Sequence, residues 1–327
     1  MTTKVLAGWA ILFLFCCNPA WAQWPTQTYA RQTYQWDVGA RILDRPGTIQ
    51  TLPLVINPVT LQTVFDTEQA SDLDVSGGAE FRVQRVGNYD STWEVRGFFD
   101  SWKTAHTFTG PLESFVFTPP GVPTGTELDQ FDYDYKSSLF SVALNFKRAC
   151  HPGCTLFMGP RYLNMDETVD VDAIFSVPGV PIPLTSDTRS HTTNNMIGIN
   201  FGCQLQRPIS RDLFIDAWLR AALMYNHSKT LVSNQTLFGG NPVSSLTLLD
   251  DNKGGAAGIG EVSIRLHYDV SPGHCSIYAG YEAMWLDGGA LAPAQILEIL
   301  GPPGPRRVET GNTIFAHGLV LGGMFRF

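Results

Sequence analysis

Leu73, Val75, Gly77, Ala79, Phe81 and Val83 alternate with Asp74, Ser76, Gly78, Glu80, Arg82 and Gln84. In an extended chain the two sets stand on opposite faces, one apolar and one polar. The same period of two recurs in Ile215, Ala217, Leu219, Ala221, Leu223 and Tyr225, in Val262, Ile264, Leu266 and Tyr268, and in Ile277, Ala279, Tyr281, Ala283 and Trp285. Read along the whole chain, it predicts ten strands: 36–45, 71–84, 91–103, 131–147, 155–167, 191–206, 212–226, 256–270, 275–286 and 312–327. Most exceed the ~9–11 residues that a tilted strand needs to cross a bilayer, whereas strands in soluble proteins usually run to about 5–6.

The predicted connections alternate. Segments 85–90, 148–154, 207–211 and 271–274 are short, and segments 46–70, 104–130, 168–190, 227–255 and 287–311 are long. Tight turns at one end and long loops at the other mark an antiparallel transmembrane β-barrel, and an even strand number puts both chain ends on the short-turn side. Pro119–Pro123 and Pro178–Pro183 cannot continue a ladder. A short helix is expected from Pro293 to Leu300, stopped by the Gly/Pro run after it.

The N-terminus changes the picture by giving a destination. Lys4, an apolar run from Val5 to Cys17 and the Ala20-Trp21-Ala22 site read as a cleaved signal peptide over 1–22. Segment 23–35 is then a periplasmic lead-in, and 36–327 the barrel of a bacterial outer membrane. No later stretch is long and apolar enough for a spanning helix. Composition agrees with a lipid-facing protein: 16% of residues are charged and 12% are aromatic, against roughly 25% charged in soluble domains. A net charge of −8 argues against nucleic acid as a partner. The partners expected instead are outer-membrane lipid, the barrel-insertion machinery and small solutes.

With the apolar sets facing lipid, the polar sets line the lumen. Asp74, Glu80, Glu94, Asp216, Glu261 and Glu282 are the inward acids, and Arg82, Arg96, Lys147, Arg161, Arg220, Arg265 and Arg326 the inward bases. Six against seven is close to neutral, where a selective pore would show one sign at its narrowest part. Ten strands also lie near the size at which side chains fill the lumen. A salt-bridged plug and a narrow diffusion path both fit. Trp93, Trp102, Tyr225, Tyr268 and Trp285 near strand ends suit a membrane girdle. Phe325 and Phe327 end an alternating apolar strand that resembles the sorting signal of outer-membrane barrels.

Cys150 and Cys154 sit in a short turn, where an oxidising compartment permits a disulfide; free thiols are the alternative. No metal-ligand set stands near them, and no cofactor is expected. Asp100 with His106, and Asp187 with His191, fall near the predicted rim. No nucleophile elbow, zincin pair or P-loop accompanies them, so an enzyme is not expected.

Three stretches carry a family resemblance. They are Gly159-Pro160-Arg161-Tyr162-Leu163-Asn164-Met165-Asp166-Glu167, Tyr281-Glu282-Ala283-Met284-Trp285-Leu286-Asp287-Gly288-Gly289-Ala290-Leu291-Ala292-Pro293, and Tyr135-Lys136-Ser137-Ser138-Leu139 with Leu144-Asn145. The chain from about Trp36 to Phe327 resembles the planctomycete-type beta-barrel porins, departing from their pattern at Pro160 and at the additional Gly289. The resemblance implies an outer-membrane barrel with a porin-like role. The expected function is thus a porin-like barrel with a narrow, charge-balanced lumen, or alternatively a structural or surface-binding barrel, with a rim hydrolase a distant third.

Overall fold

The computed structural model describes residues 33–47, 53–56, 62–86, 91–114, 127–176, 179, 181–300 and 307–327. The expected signal peptide over 1–22, segment 23–32, Pro119–Pro123, Pro178 and Pro302–Pro305 lie outside the described residues. Among the described residues twelve strands form: β1 (Thr33–Asp44), β2 (Pro53–Ile56), β3 (Thr63–Asp66), β4 (Gly77–Val86), β5 (Ser91–Ser114), β6 (Glu127–His151), β7 (Cys154–Ser176), β8 (Leu184–Pro208), β9 (Leu213–Phe238), β10 (Asn241–Ser271), β11 (Cys275–Gly289) and β12 (Asn312–Arg326). The described residues also include two helices, α1 (Thr67–Ser71) and α2 (Ala292–Leu300).

Ten of the strands, β1 and β4 to β12, pair antiparallel in a closed ring. Chain neighbours pair from β4 to β12, and β1 lies between β4 and β12. Phe327 completes the closure: its N–H donates to the Tyr34 carbonyl at 3.0 Å, and its carbonyl accepts from the Tyr34 N–H at 3.1 Å.

The ring is inside out relative to a soluble protein. Val38 is 56% exposed and Ile264 59%, while Asp37 and Arg265 beside them are buried. The outward apolar set runs Tyr34–Ile42 on β1, Leu156–Tyr162 on β7 and Leu223–Tyr225 at its upper edge on β9. The band spans about 9–11 residues per strand, the height of a bilayer core. Above it the outward face turns polar in register: Asn164 on β7 pairs with Asn195 on β8, which pairs with His227 on β9. The chain is a transmembrane β-barrel.

The strands do not stop at the band. Segments 104–130, 168–190 and 227–255, expected as loops, are largely continuations of β5 to β10. β9 and β10 turn on Gly239 and Gly240 alone, with φ of +56° and +80°, values that suit a two-residue hairpin and favour glycine. Beyond the band, β7 rises for a further 13 residues, Asn164–Ser176, roughly 40 Å along the strand. β4, β1, β12 and β11 end lower, so the projecting part is an incomplete collar, extended at one edge by β2 pairing with β5 and β3 with β2.

The strand expected at 71–84 begins instead at Gly77. Leu73 is buried and Val75 exposed, although both share the odd set. The parity breaks because Leu73 makes a single bridge to Arg45 and packs inward. Asp66 caps α1 in a capping box with Gln69: each side chain bonds the other's main-chain N–H, at 2.9 and 3.1 Å. α2 falls where the sequence places a helix, with Pro293 in its first turn.

Candidate functional site: a charged layer and a plug in the lumen

Inside the band, inward side chains reach across the ring rather than along it. Arg265 on β10 holds Glu80 on β4 through two bonds, 2.6 and 2.8 Å, and touches Glu282 at 3.2 Å. Arg161 on β7 holds Glu261 on β10 through two more, 2.7 and 2.9 Å. Arg41 joins Asp100 at 2.7 Å and Glu282 at 2.9 Å. Arg82 binds Asp37 and reaches Asp216 at 3.6 Å. Lys147 donates to Gln84, Glu94 and Gln204 at 2.7–2.9 Å, using all three ammonium protons. Arg96 bonds Glu80 at 3.1 Å, and Arg220 lies 3.6 Å from Glu261.

The layer contains seven carboxylates, Asp37, Glu80, Glu94, Asp100, Asp216, Glu261 and Glu282. Opposite them stand seven cations, Arg41, Arg82, Arg96, Lys147, Arg161, Arg220 and Arg265, and every one of the fourteen is at most 5% exposed. Such burial is tolerable because each charge has an opposite partner and most carry directional hydrogen bonds; Arg220 is held by charge alone, 3.6 Å from Glu261 and 3.9 Å from Glu94, and Arg41 Nε, Arg220 Nε and Asp100 Oδ1 lack a hydrogen-bond partner among the described residues. Aromatic faces fill the remaining space: Arg41 lies 3.9 Å from the Phe98 ring centre and Arg96 3.9 Å from that of Trp218.

The sequence-derived set fits this layer with three corrections. Asp74 is exposed and outside the lumen, because it precedes β4. Arg326 is half-buried at the short-turn mouth against Met324 Sδ and Phe214, apart from the paired layer. Asp37, Arg41 and Asp100 belong to the layer, and their parity on β1 and β5 would have revealed them.

A second, apolar layer closes the collar above the charges. Phe65, Phe131, Tyr133, Tyr135, Leu163, Met165 and Met196 pack with Leu291, Ala294 and Ile296 of the α2 segment. Glu167 is its polar centre. One carboxylate oxygen accepts from Arg45 at 2.8 Å, Tyr135 at 2.7 Å and Ser137 at 3.1 Å; the other accepts from the Ala292 N–H at the start of α2, at 2.9 Å. The stretches 135–139, 159–167 and 281–293 therefore meet at one residue.

Trp102 is not a girdle residue. It is 2% exposed, donates to the Leu43 carbonyl at 3.3 Å and stands beside Arg45; its even number on β5 faces inward. Tyr225 and Tyr268 are exposed on the outer wall, with Trp93 and Trp285 partly covered there. The Cys150 and Cys154 sulfurs lie 3.0 Å apart as free thiols. Cys203 is on β8 and Cys275 on β11.

Neither rim pair assembles. Asp100 is held by Arg41 inside the lumen, and His106 lies six residues on along β5, roughly 20 Å away. His191 bonds Asp166, not Asp187, at 2.9 Å.

On the collar's outer face, Asp132, Asp172 and Asp187 stand directly opposite one another across β6, β7 and β8. Partial burial, then Asp187, Asp132 and Asp170, push the Asp172 carboxyl up; burial and then Asp170 push Asp187 up. A raised carboxyl binds its proton more tightly in the folded chain, so the collar gains stability as pH falls from neutral through that raised value. Asp172→Asn should stabilise the collar at neutral pH by about 0.2–1 kcal/mol and flatten this acid gain. Urea midpoints at pH 7 and at mildly acidic pH check both.

No protein-family model matches the chain, and no curated protein sequence does. Solved structures with a similar course are the outer membrane protease OmpT from Escherichia coli (9% identity, 92% of this chain and 99% of that chain, TM-score 0.37), the P. putida toluene transporter TodX (8%, 94% and 93%, 0.31) and a Pseudomonas aeruginosa FadL homologue (7%, 91% and 90%, 0.26). They include a protease and a transporter, and identities this low assign neither activity to this chain.

Proposed function

We propose that the chain is a sealed outer-membrane barrel, porin-like in build and closed at rest, whose collar is its working surface. The observation that carries this is the mid-band layer of seven acids and seven bases, locked across the lumen and buried. A conducting pore needs a continuous path of sites that ions can enter and leave; here mutually paired, buried side chains occupy the middle. In this reading the short-turn end is periplasmic and the collar extracellular. Outer-membrane lipid covers the apolar band, the leader 1–22 directs export, and the insertion machinery reads Phe325 and Phe327. The Cys150–Cys154 pair closes as a disulfide in an oxidising periplasm. The likeness to the planctomycete-type porins is retained as a likeness of build.

The role left to a sealed barrel is structural or surface-binding. Liposome swelling tests the seal. Vesicles loaded with the purified chain should swell in arabinose no faster than protein-free vesicles, and swelling in proportion to protein would refute the proposal.

A further inference from the structure

We infer that β10 presents an open strand edge, Asp250 to Gly255, to an extended, positively charged peptide segment of another protein. This rests on the collar being the working surface of a sealed barrel, and it names what that surface takes.

β10 pairs with β9 from Asn241 to Tyr268. On its other side the β11 ladder begins only at Gly258, opposite Asp287. Past Gly288, at φ +84°, the chain leaves β10, and no strand among the described residues fills the place above. The far end of the collar meets the same difficulty with its own chain: β2 covers the edge of β5, and β3 that of β2. Val308 approaches β10 from the lumen side. Its N–H and carbonyl are taken by the inward Asp251 and Lys253 side chains, at 3.4 and 3.2 Å. No main-chain bond joins residues 307–311 to β10 among the described residues.

The edge is blunted above this window and regular within it. Pro242 and two register shifts, at Pro242/Ser244 and Thr247/Leu249, interrupt the upper part, and such devices keep strands from pairing. From Leu249 to Tyr268 the register runs without a shift. Asp250, Asn252, Lys253 and Gly254 are exposed, and at a glycine exposure is exposure of the main chain. The window is roughly 20 Å of edge. Its main-chain donors and acceptors, at strand spacing, are complementary to another extended chain.

Charge and tilt choose the occupant. Lys253 is turned to Val308, so the outward charge of the window belongs to Asp250, which stands opposite Leu231. A basic residue beside Asp250 in an added strand forms a favourable cross-strand pair. A second copy fits less well. Strands in an upright barrel tilt by about 35–45°, so two copies side by side would bring their edges together crossed by roughly 70–90°. A free segment can align.

Hydrogen exchange on the full chain in detergent tests this, read by mass spectrometry with and without about 1 mM of a synthetic peptide of alternating threonine and lysine. Edge-facing amides of 250–255 should slow about tenfold, the effect of a ligand at about ten times its Kd, while those of β5 and β6 stay as they are. The glutamate counterpart of the peptide should change nothing. Asp250→Lys, in a barrel that keeps its heat-modifiable gel migration, should lose most of the slowing. No slowing by the lysine peptide would overturn the inference. Equal slowing by the glutamate peptide, or undiminished slowing in Asp250→Lys, would overturn the assigned charge. Protection of 250–255 that rises with protein concentration in the absence of peptide would place a second copy at the edge and overturn the choice of partner. Vesicle swelling reads the seal separately, so a leaking barrel that still takes the peptide refutes the seal alone.

Discussion

Arg265→Met should destabilise the barrel by about 3–5 kcal/mol, the range for breaking a buried ion pair from one side. Arg265 is the two-bonded partner of Glu80 and also touches Glu282. Without it seven carboxylates face six cations, and Glu80 is left with Arg96 and the Tyr278 hydroxyl. The cost comes from stranding a charge where water is excluded, more than from the bond itself. Adding Glu80→Gln removes the stranded charge and should recover a large part of the loss. Urea-driven loss of the heat-modifiable form gives both numbers. Equal stability of the parent and Arg265→Met would mean that the lumen admits enough water to hydrate Glu80. No recovery in the double variant would mean that Arg265 acts by packing, for example against Tyr278, whose ring centre lies 5.0 Å away.

The second large effect concerns conduction, because two barriers in series must both be removed. Replacing Arg161, Arg220, Glu94 and Glu261 by serine withdraws two cations and two acids and leaves the interior balanced. Exchanging residues 290–309 for a short Gly/Ser linker removes the plug. Each alteration alone should leave planar bilayers silent; together they should give resolved current steps. Conduction by the linker variant alone would show that the charged layer does not close the lumen. Conduction by the serine variant alone would show that the plug leaks. Silence of the combination, with the barrel folded, would place the constriction elsewhere.

The strand set was legible because a barrel wall has two unlike faces, and unlike faces print a period of two. Glu80, Arg82, Glu94, Arg96, Arg161 and Arg265 were readable as inward from parity alone. Asp37 and Arg41 follow the same rule on β1. Asp100 lies inside the lumen and not at the rim, because β5 continues to Ser114, well beyond the expected strand end at 103. Trp102 has the parity of Glu94 and Arg96 and faces inward with them, not outward as a membrane anchor.

On β6 and β7 the collar keeps the period of two, with Phe131, Tyr133, Val169 and Val171 buried and Asp132, Asp134, Asp170 and Asp172 outward, but on β8 and β9 it was not legible, for a physical reason. Along β8 and β9 above the band both faces are polar: Ser186, Thr188, Ser190, Asn226, Ser228 and Thr230 point inward, while Asp187, Arg189, His227 and Lys229 point outward. No hydrophobic alternation survives, and only pairing with neighbours holds those residues extended. Contacts across the lumen were hidden too. Arg45 and Glu167 are 122 positions apart, and no local pattern links them. Stretches 135–139, 159–167 and 281–293 lie far apart in the chain, and only the fold brings them together at Glu167.

The most direct measurement is single-channel recording of the unaltered chain in planar bilayers. A sealed barrel predicts no steps above background at modest voltage of either sign. Reproducible, voltage-independent steps that scale with protein added would contradict it.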